Sequence, residues 1–282
     1  MSHIINRNTI HVFIPHLSEK MGQQTLFEQK LTIVHPFYND ETRLIKQVEA
    51  WSEYETHIKK AIQFILVDDG SQNPLHKQIE KIELPPDLNL DVYRIDEDLK
   101  WNTPGALNLG IEKATTDWIL IMDSDCLLDN SNLKWITKLR PDLGFMYRFN
   151  RQRITNLESL KGHERFLGCT ILFSKATFLD VGGFDEDFTG KWSGGYGFFD
   201  NEFVQSVLEK GYMQGVLQGP KVTEYMEDIV GPNVQQRTGV RASTHHRINK
   251  ILWGEKKKGK IPRVTKRLRF EWEKVFSTKE DS

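Results

Sequence analysis

Residues 118–129 read WILIMDSDCLLD, an uninterrupted apolar run from Trp118 to Met122 that stops at two aspartates one residue apart, Asp123 and Asp125. A short apolar run bounded by a polar turn predicts a strand buried on both faces. Burying two adjacent carboxylates unpaired at its end is costly, because burial and mutual repulsion both oppose ionisation. A hard divalent cation removes that cost. Mn²⁺ or Mg²⁺ prefers oxygen ligands and leaves positions open for substrate phosphates.

The same grammar recurs upstream. LTIVHPF (31–37), QFILVDDGS (63–71) and LDVYRI (90–95) read as strands, and the first two run into Tyr38 and Asn39 and into Asp68 and Asp69. A helix is expected from the N-cap Asp40 through Leu44, Val48 and Trp51, and another over PGALNLGIEKA (104–114), with Pro104 in its first turn. Alternating strands and helices predict an α/β fold built on a mostly parallel sheet between helices, with ligands at the carboxyl ends of the strands. Beyond residue 143, LGFMYRF, CTILF and KVTEYME read as further strands. A glycine- and aromatic-rich loop, GGFDEDFTGKWSGGYGFF, feeds a helix that closes at Gly211.

Composition narrows the function classes. The chain has 282 residues, 27% of them charged, and a formal net charge of -1, which suits a globular protein and gives no argument for a nucleic-acid partner. Two cysteines, Cys126 and Cys169, make neither a disulfide framework nor a metal site and suit a reducing compartment. No apolar segment is long enough to span a bilayer and no signal-peptide core is evident, so a cytoplasmic protein is expected. Residues 254–276 carry nine Lys or Arg against three Glu, with Leu268, Phe270, Trp272 and Phe276 interleaved. Such a basic helical segment suits either solvent or peripheral contact with an anionic membrane.

PFYN (36–39), ILVDDGS (65–71), PGALNLGIEKA (104–114) and ILIMDSD (119–125), in that order, resemble the nucleotide-binding half of the family 2 glycosyltransferases, which have the GT-A fold. GGFDEDF (182–188) followed by FFDNEF (198–203) is similar to the acceptor half of galactosyltransferases and chondroitin-type polymerases. The resemblance implies a GT-A domain over 31–230, with a nucleotide-sugar half at 31–130 and an acceptor half at 143–230. Residues 1–30 would form an extension and 231–282 a basic C-terminal helical segment.

What the resemblance implies for the site is specific. Pro36 and Tyr38 would line the base pocket, Asp68 and Asp69 would meet the uracil imide, and Gly105 and Asn108 would wall the ribose and diphosphate. Asp123 would meet the ribose and, with Asp125, hold Mn²⁺ or Mg²⁺. Asp200 would be the catalytic base of an inverting displacement, with Glu202 as the reserve carboxylate, since the family's preceding acid is here Phe199. Trp192, Gly194 and Gly195 would face the acceptor, and His245 or His246 would add a metal ligand. The implied activity is transfer of a hexose or N-acetylhexosamine from a UDP-sugar to a glycan hydroxyl, as in polysaccharide biosynthesis. Two alternatives stay open: an inactive relative that binds glycan or a partner, and a nucleotidyltransferase. The latter lacks its expected glycine-rich basic loop after the first strand.

Overall fold

A computed structural model of the chain describes residues 9–10, 25–154, 170–225, 242–264 and 267–279. Strands β2 (Leu31–Phe37), β3 (Ile62–Asp68), β4 (Leu90–Ile95) and β5 (Trp118–Ile121) form a parallel core in the order β5-β2-β3-β4. Strand β8 (Ile171–Ser174) continues the sheet antiparallel to β5. Beyond it lie β7 (Phe145–Ile154) and β9 (Met213–Tyr225), parallel to each other. The two-residue β1 (Thr9–Ile10) and β6 (Cys126–Leu127) both pair with β9.

The uninterrupted apolar runs have a simple cause: both faces of the sheet are buried. One face packs Ile33, Phe64, Leu66 and Leu120 against Leu44, Val48 and Trp51 of α2 (Glu41–Ser52). The alternate residues Val34, Ile65, Val67 and Ile121 face α5 (Thr103–Lys113), and Phe178 and Phe203 join them from α7 (Lys175–Val181) and α9 (Phe199–Glu209). Gly110 lets α5 close onto the sheet, for a Cβ there would sit 2.4 Å from Val34 Cγ1.

Two boundaries differ from the sequence expectation. Part of the expected N-terminal extension belongs to the body: α1 (Leu26–Gln29) has a Thr25–Glu28 capping box, Leu26 is buried in the core, and Gln29 accepts from the Trp118 indole at 2.7 Å. Among its described residues the C-terminal segment is helical over Ala242–Lys257. It then runs as an extended strap into β10 (Trp272–Ser277), which pairs antiparallel with β4 at the sheet edge. Leu268, Phe270 and Trp272 pack against the core face shared by α5, which removes them as membrane-facing residues. Among the described residues no helix is long and apolar enough to cross a membrane.

Candidate active site

The D-x-D turn leaves β5 and is gripped from three sides. Met122 N donates to Val34 O at 3.0 Å, and Cys126 N closes the turn onto Asp123 O at 3.0 Å. From α2, Gln47 Nε2 donates to Ser124 O (3.3 Å) and Cys126 O (2.8 Å). From β2, the buried His35 ring lies against the backbone of Met122 and Asp123, and burial lowers its pKa to about 4, so it is neutral at pH 7. Asp40, the N-cap of α2, is also buried. Burial pushes its carboxyl upward, Arg43 opposes this through a 2.8 Å ion pair, and the charge of Asp125 adds to the rise. Asp125 is thus close enough to Asp40 for their charges to repel, with Arg43 offsetting the charge of Asp40.

On the neighbouring strand ends, Tyr38 Oη donates to Asp98 Oδ2 at 2.5 Å and is half-buried beside the equally half-buried Pro36. Asp68 has a different task from the one expected. It is fully enclosed, accepts from Ser71 N (2.8 Å) and Leu75 N (2.9 Å), and pairs with Arg94 Nη1 at 2.5 Å. No surface of it is left for a uracil. Asp69 is buried too and accepts from Asn102 N at 3.0 Å, tying β3 to the start of α5.

Gly105 and Asn108 are likewise internal. A Cβ on Gly105 would meet Phe270 of the strap at 2.6 Å. The Asn108 amide is used up between Phe184 (O at 2.9 Å, N at 2.8 Å) and Glu186 Oε1 (2.9 Å). The acidic loop 185–187 is then the strap's anchor: Lys256 pairs with Asp185 (2.8 Å) and Asp187 (2.9 Å), and Glu186 accepts from the backbone of Leu268 and Arg269.

Asp200 lies in the first turn of α9, entered through Phe198 in the left-handed conformation (φ 65°). Burial pushes its carboxyl above the ordinary range, while the Asn201 backbone and the charge of Arg148 pull it back. Arg148 on β7 pairs in register with Ile171, and Ile171 with Ile121, two residues before Asp123. Asp200 and the D-x-D turn thus converge on one end of the sheet. Phe199 is buried against Phe184, centroids 5.7 Å apart, so an acid at that position would be enclosed in the apolar core. Glu202 is no reserve base. It is buried, accepts from Ser206 Oγ at 2.8 Å, and is clasped by Arg263 of the strap.

The expected acceptor residues divide. Trp192 is covered on one face by the Arg269 guanidinium at 4.0 Å; Gly194 is exposed at φ 69°, and Gly195 is buried. The aromatic wall beside Asp200 is made by other residues. Trp101 meets Tyr196 edge-on at 5.0 Å, and Tyr196 and Phe198 flank His246 at 5.5 and 4.6 Å. Lys100 and Trp101 both hold left-handed backbone (φ 56° and 68°). That conformation costs on the order of 1–3 kcal/mol per non-glycine residue. It is maintained by Lys191 N donating to Leu99 O (3.0 Å) and Thr189 Oγ1 donating to Asn102 Oδ1 (2.8 Å). His246 packs in this wall, and among the described residues no group of three metal-ligating side chains forms; the His245 side chain lies outside them.

Residues 32–139 match the model of Glycosyl transferase family 2. A probable glycosyltransferase of Sulfolobus acidocaldarius is 34% identical over 98 residues, 35% of this chain and 21% of that protein. Staphylococcus aureus TarS 1–349 in complex with UDP-GlcNAc aligns with a TM-score of 0.57 at 16% identity, covering 73% of this chain and 60% of that one. The mannosyltransferase PcManGT of Pyrobaculum calidifontis, in complex with GDP-Man and Mn²⁺, aligns at 0.54 and 16% identity, over 74% and 61%. The chain therefore spans about a fifth of the curated relative and less than two thirds of these two structures. The fold is that of the GT-A glycosyltransferases.

Sequence reading missed His35, Gln47, Trp101, Arg148 and Tyr196. Only two left a signal in the sequence: a histidine inside an otherwise apolar strand, and a tyrosine in the glycine-rich loop ahead of Asp200.

Proposed function

We propose that this chain is a metal-dependent, inverting glycosyltransferase that moves a hexose or N-acetylhexosamine from a UDP-sugar to a glycan hydroxyl. The observation that carries the reading is the convergence of Asp200 with the Asp123–Asp125 turn, through the register row Ile121–Ile171–Arg148. Asp200 is the general base: it accepts the proton of the acceptor hydroxyl, and its raised pKa brings it nearer to working pH. The inert surroundings of Glu202 and Phe199 leave it without a competitor on α9.

Asp123 and Asp125 fit a hard cation. Two half-buried carboxylate side chains supply oxygen ligands and leave further positions to the diphosphate. When bound, Mn²⁺ or Mg²⁺ neutralises the charge that builds on the leaving nucleoside diphosphate. His35 and Gln47 hold the turn in place for it. Pro36 and Tyr38 form the base pocket, with the phenol oriented by Asp98. Asp68 and Asp69 support that pocket from inside the fold.

Trp101 and Tyr196 give the acceptor sugar an apolar platform in place of Trp192, whose ring Arg269 covers.

The test is release of nucleoside diphosphate from UDP-glucose, UDP-galactose, both UDP-N-acetylhexosamines and GDP-mannose, with and without Mn²⁺. Metal-dependent turnover of one UDP-sugar is expected. Turnover of GDP-mannose alone would overturn the donor assignment, and no turnover on any of them would favour a glycan- or partner-binding role.

A further inference from the structure

The helix Ala242–Lys257, α10, is fixed to the domain along one side. Asn249 Nδ2 donates to Phe188 O (3.0 Å) and Gly197 O (2.9 Å), Lys256 is held by Asp185 and Asp187, and Trp253 stacks near Phe198 at 5.7 Å. With these anchors inward, the opposite face cannot turn into the protein. Successive spacings of four, three and four residues put Arg247, Ile251, Gly254 and Lys258 on that outer line, and Ile248 stands next to it.

This outer face has an unusual composition for one in water. Ile251 is 59% exposed and Ile248 36% exposed, and Arg247 and Lys258 beside them are exposed cations, while Lys250 and Lys257 lie on the flank of the helix, the Lys257 ammonium over the Trp253 ring at 5.1 Å. β-branched isoleucine is not a choice that helix propensity favours on a solvated surface. Ile261, just beyond the helix, is a third exposed isoleucine, at 37%. The acid on this stretch, Glu255, is already paired with Lys258 (3.2 Å) and Lys260 (3.0 Å).

We infer that the outer face of α10 docks the protein on an anionic lipid bilayer. Ile248 and Ile251 enter the headgroup–acyl boundary, and Arg247 and Lys258 face lipid phosphates. Apolar side chains bordered by cations on one helical face match that surface, where buried area and attraction to anionic lipid add. An acidic protein would match the cations but not two isoleucines set among them. The same helix carries His246 against Tyr196 and Phe198, so docking brings the mouth of the candidate site alongside the bilayer.

Co-sedimentation of the full chain with phosphatidylcholine vesicles, with and without phosphatidylglycerol, tests this without any enzymatic readout. Binding only to the anionic vesicles, weakened by salt, is expected. Each of Arg247→Glu and Lys258→Glu should lower partitioning about fivefold or more, given the attraction one cation contributes. Ile251→Asp should lower it about tenfold. All three sites are on the surface, and circular dichroism verifies that the variants stay folded. Equal sedimentation with both vesicle types, or full binding by Ile251→Asp, overturns the proposal. So does a dimer in solution that Ile251→Asp converts to monomer, which would assign the face to a second copy of the chain.

Discussion

Glu202 Oε1 lies 2.5 Å from Arg263 Nε, and its Oε2 lies 3.2 Å from Arg263 Nη2. Arg263 also donates to the carbonyls of Val181 and Gly183. Two residues from Asp200, a carboxylate with the same local sequence credentials is therefore committed to pinning the C-terminal strap onto α9. The two acids should separate in experiment. Asp200→Asn is expected to lower transfer by about 100- to 10,000-fold, the usual contribution of a general base, with nucleotide binding unchanged. Glu202→Gln should leave the chemistry largely intact and destabilise the fold by roughly 3 kcal/mol, because Arg263 loses its buried partner. Single-turnover kinetics and urea denaturation read the two effects separately.

The pH profile follows from the same carboxyl. Burial raises the Asp200 pKa above its ordinary value, and a base works only when deprotonated. The acid limb of kcat/KM should therefore lie above the ordinary carboxylate range, and Asp200→Asn should remove that limb from any residual activity. Linkage fixes the sign for stability. Between the unfolded pKa and the raised folded one, the native state binds more protons, so stability falls as pH rises through that window. Asp200→Asn should accordingly be more stable than the wild type at neutral pH, and the advantage should vanish in acid. Melting curves across pH would show a constant difference if the carboxyl were unperturbed.

Gln47 offers a test of the turn without touching a carboxylate. Its amide bridges Ser124 O and Cys126 O, so Gln47→Leu strands two carbonyls at a cost of about 1–3 kcal/mol. The freed turn should hold a cation less well. A rise in the Mn²⁺ concentration needed for half-maximal turnover is expected, with kcat at saturating metal nearly preserved. Asp125→Asn should instead abolish the metal response; an unaltered response would move the cation site elsewhere.

The parallel core was legible because burial on both faces writes uninterrupted apolar runs. The limits of LTIVHPF and LDVYRI coincide with β2 and β4. The strap was misread for a physical reason. Leu268, Phe270 and Trp272 alternate with charged residues at the period of a strand, and the lysine run before them drew attention to charge instead. Asp123 and Asp125 lie just past the end of β5 and Asp200 in the first turn of α9, positions that the apolar runs in the sequence indicated. The task of Asp68 was hidden: an aspartate that caps a turn and one that meets a ligand have the same neighbours in sequence, and only Arg94, from the next strand, distinguishes them. Asn108 was hidden similarly, since its partners Phe184 and Glu186 are supplied by a loop far along the chain.

Trp101 offers a test of the proposed acceptor side. Its left-handed backbone is held by the 189–191 segment, and its ring leans on Tyr196. Such strain is retained where the surrounding structure fixes a side chain for a purpose. Trp101→Ala and Tyr196→Ala should each raise the KM for acceptor about tenfold or more, the scale expected from losing an aromatic contact surface. Acceptor-independent hydrolysis of the donor should stay near the wild-type rate, because neither ring belongs to the Tyr38 pocket or the D-x-D turn. Trp192→Ala, whose ring is covered by Arg269, should change acceptor KM little. If Trp192→Ala carried the large effect and Trp101→Ala none, the acceptor would lie on the other side of α8 (Gly190–Ser193).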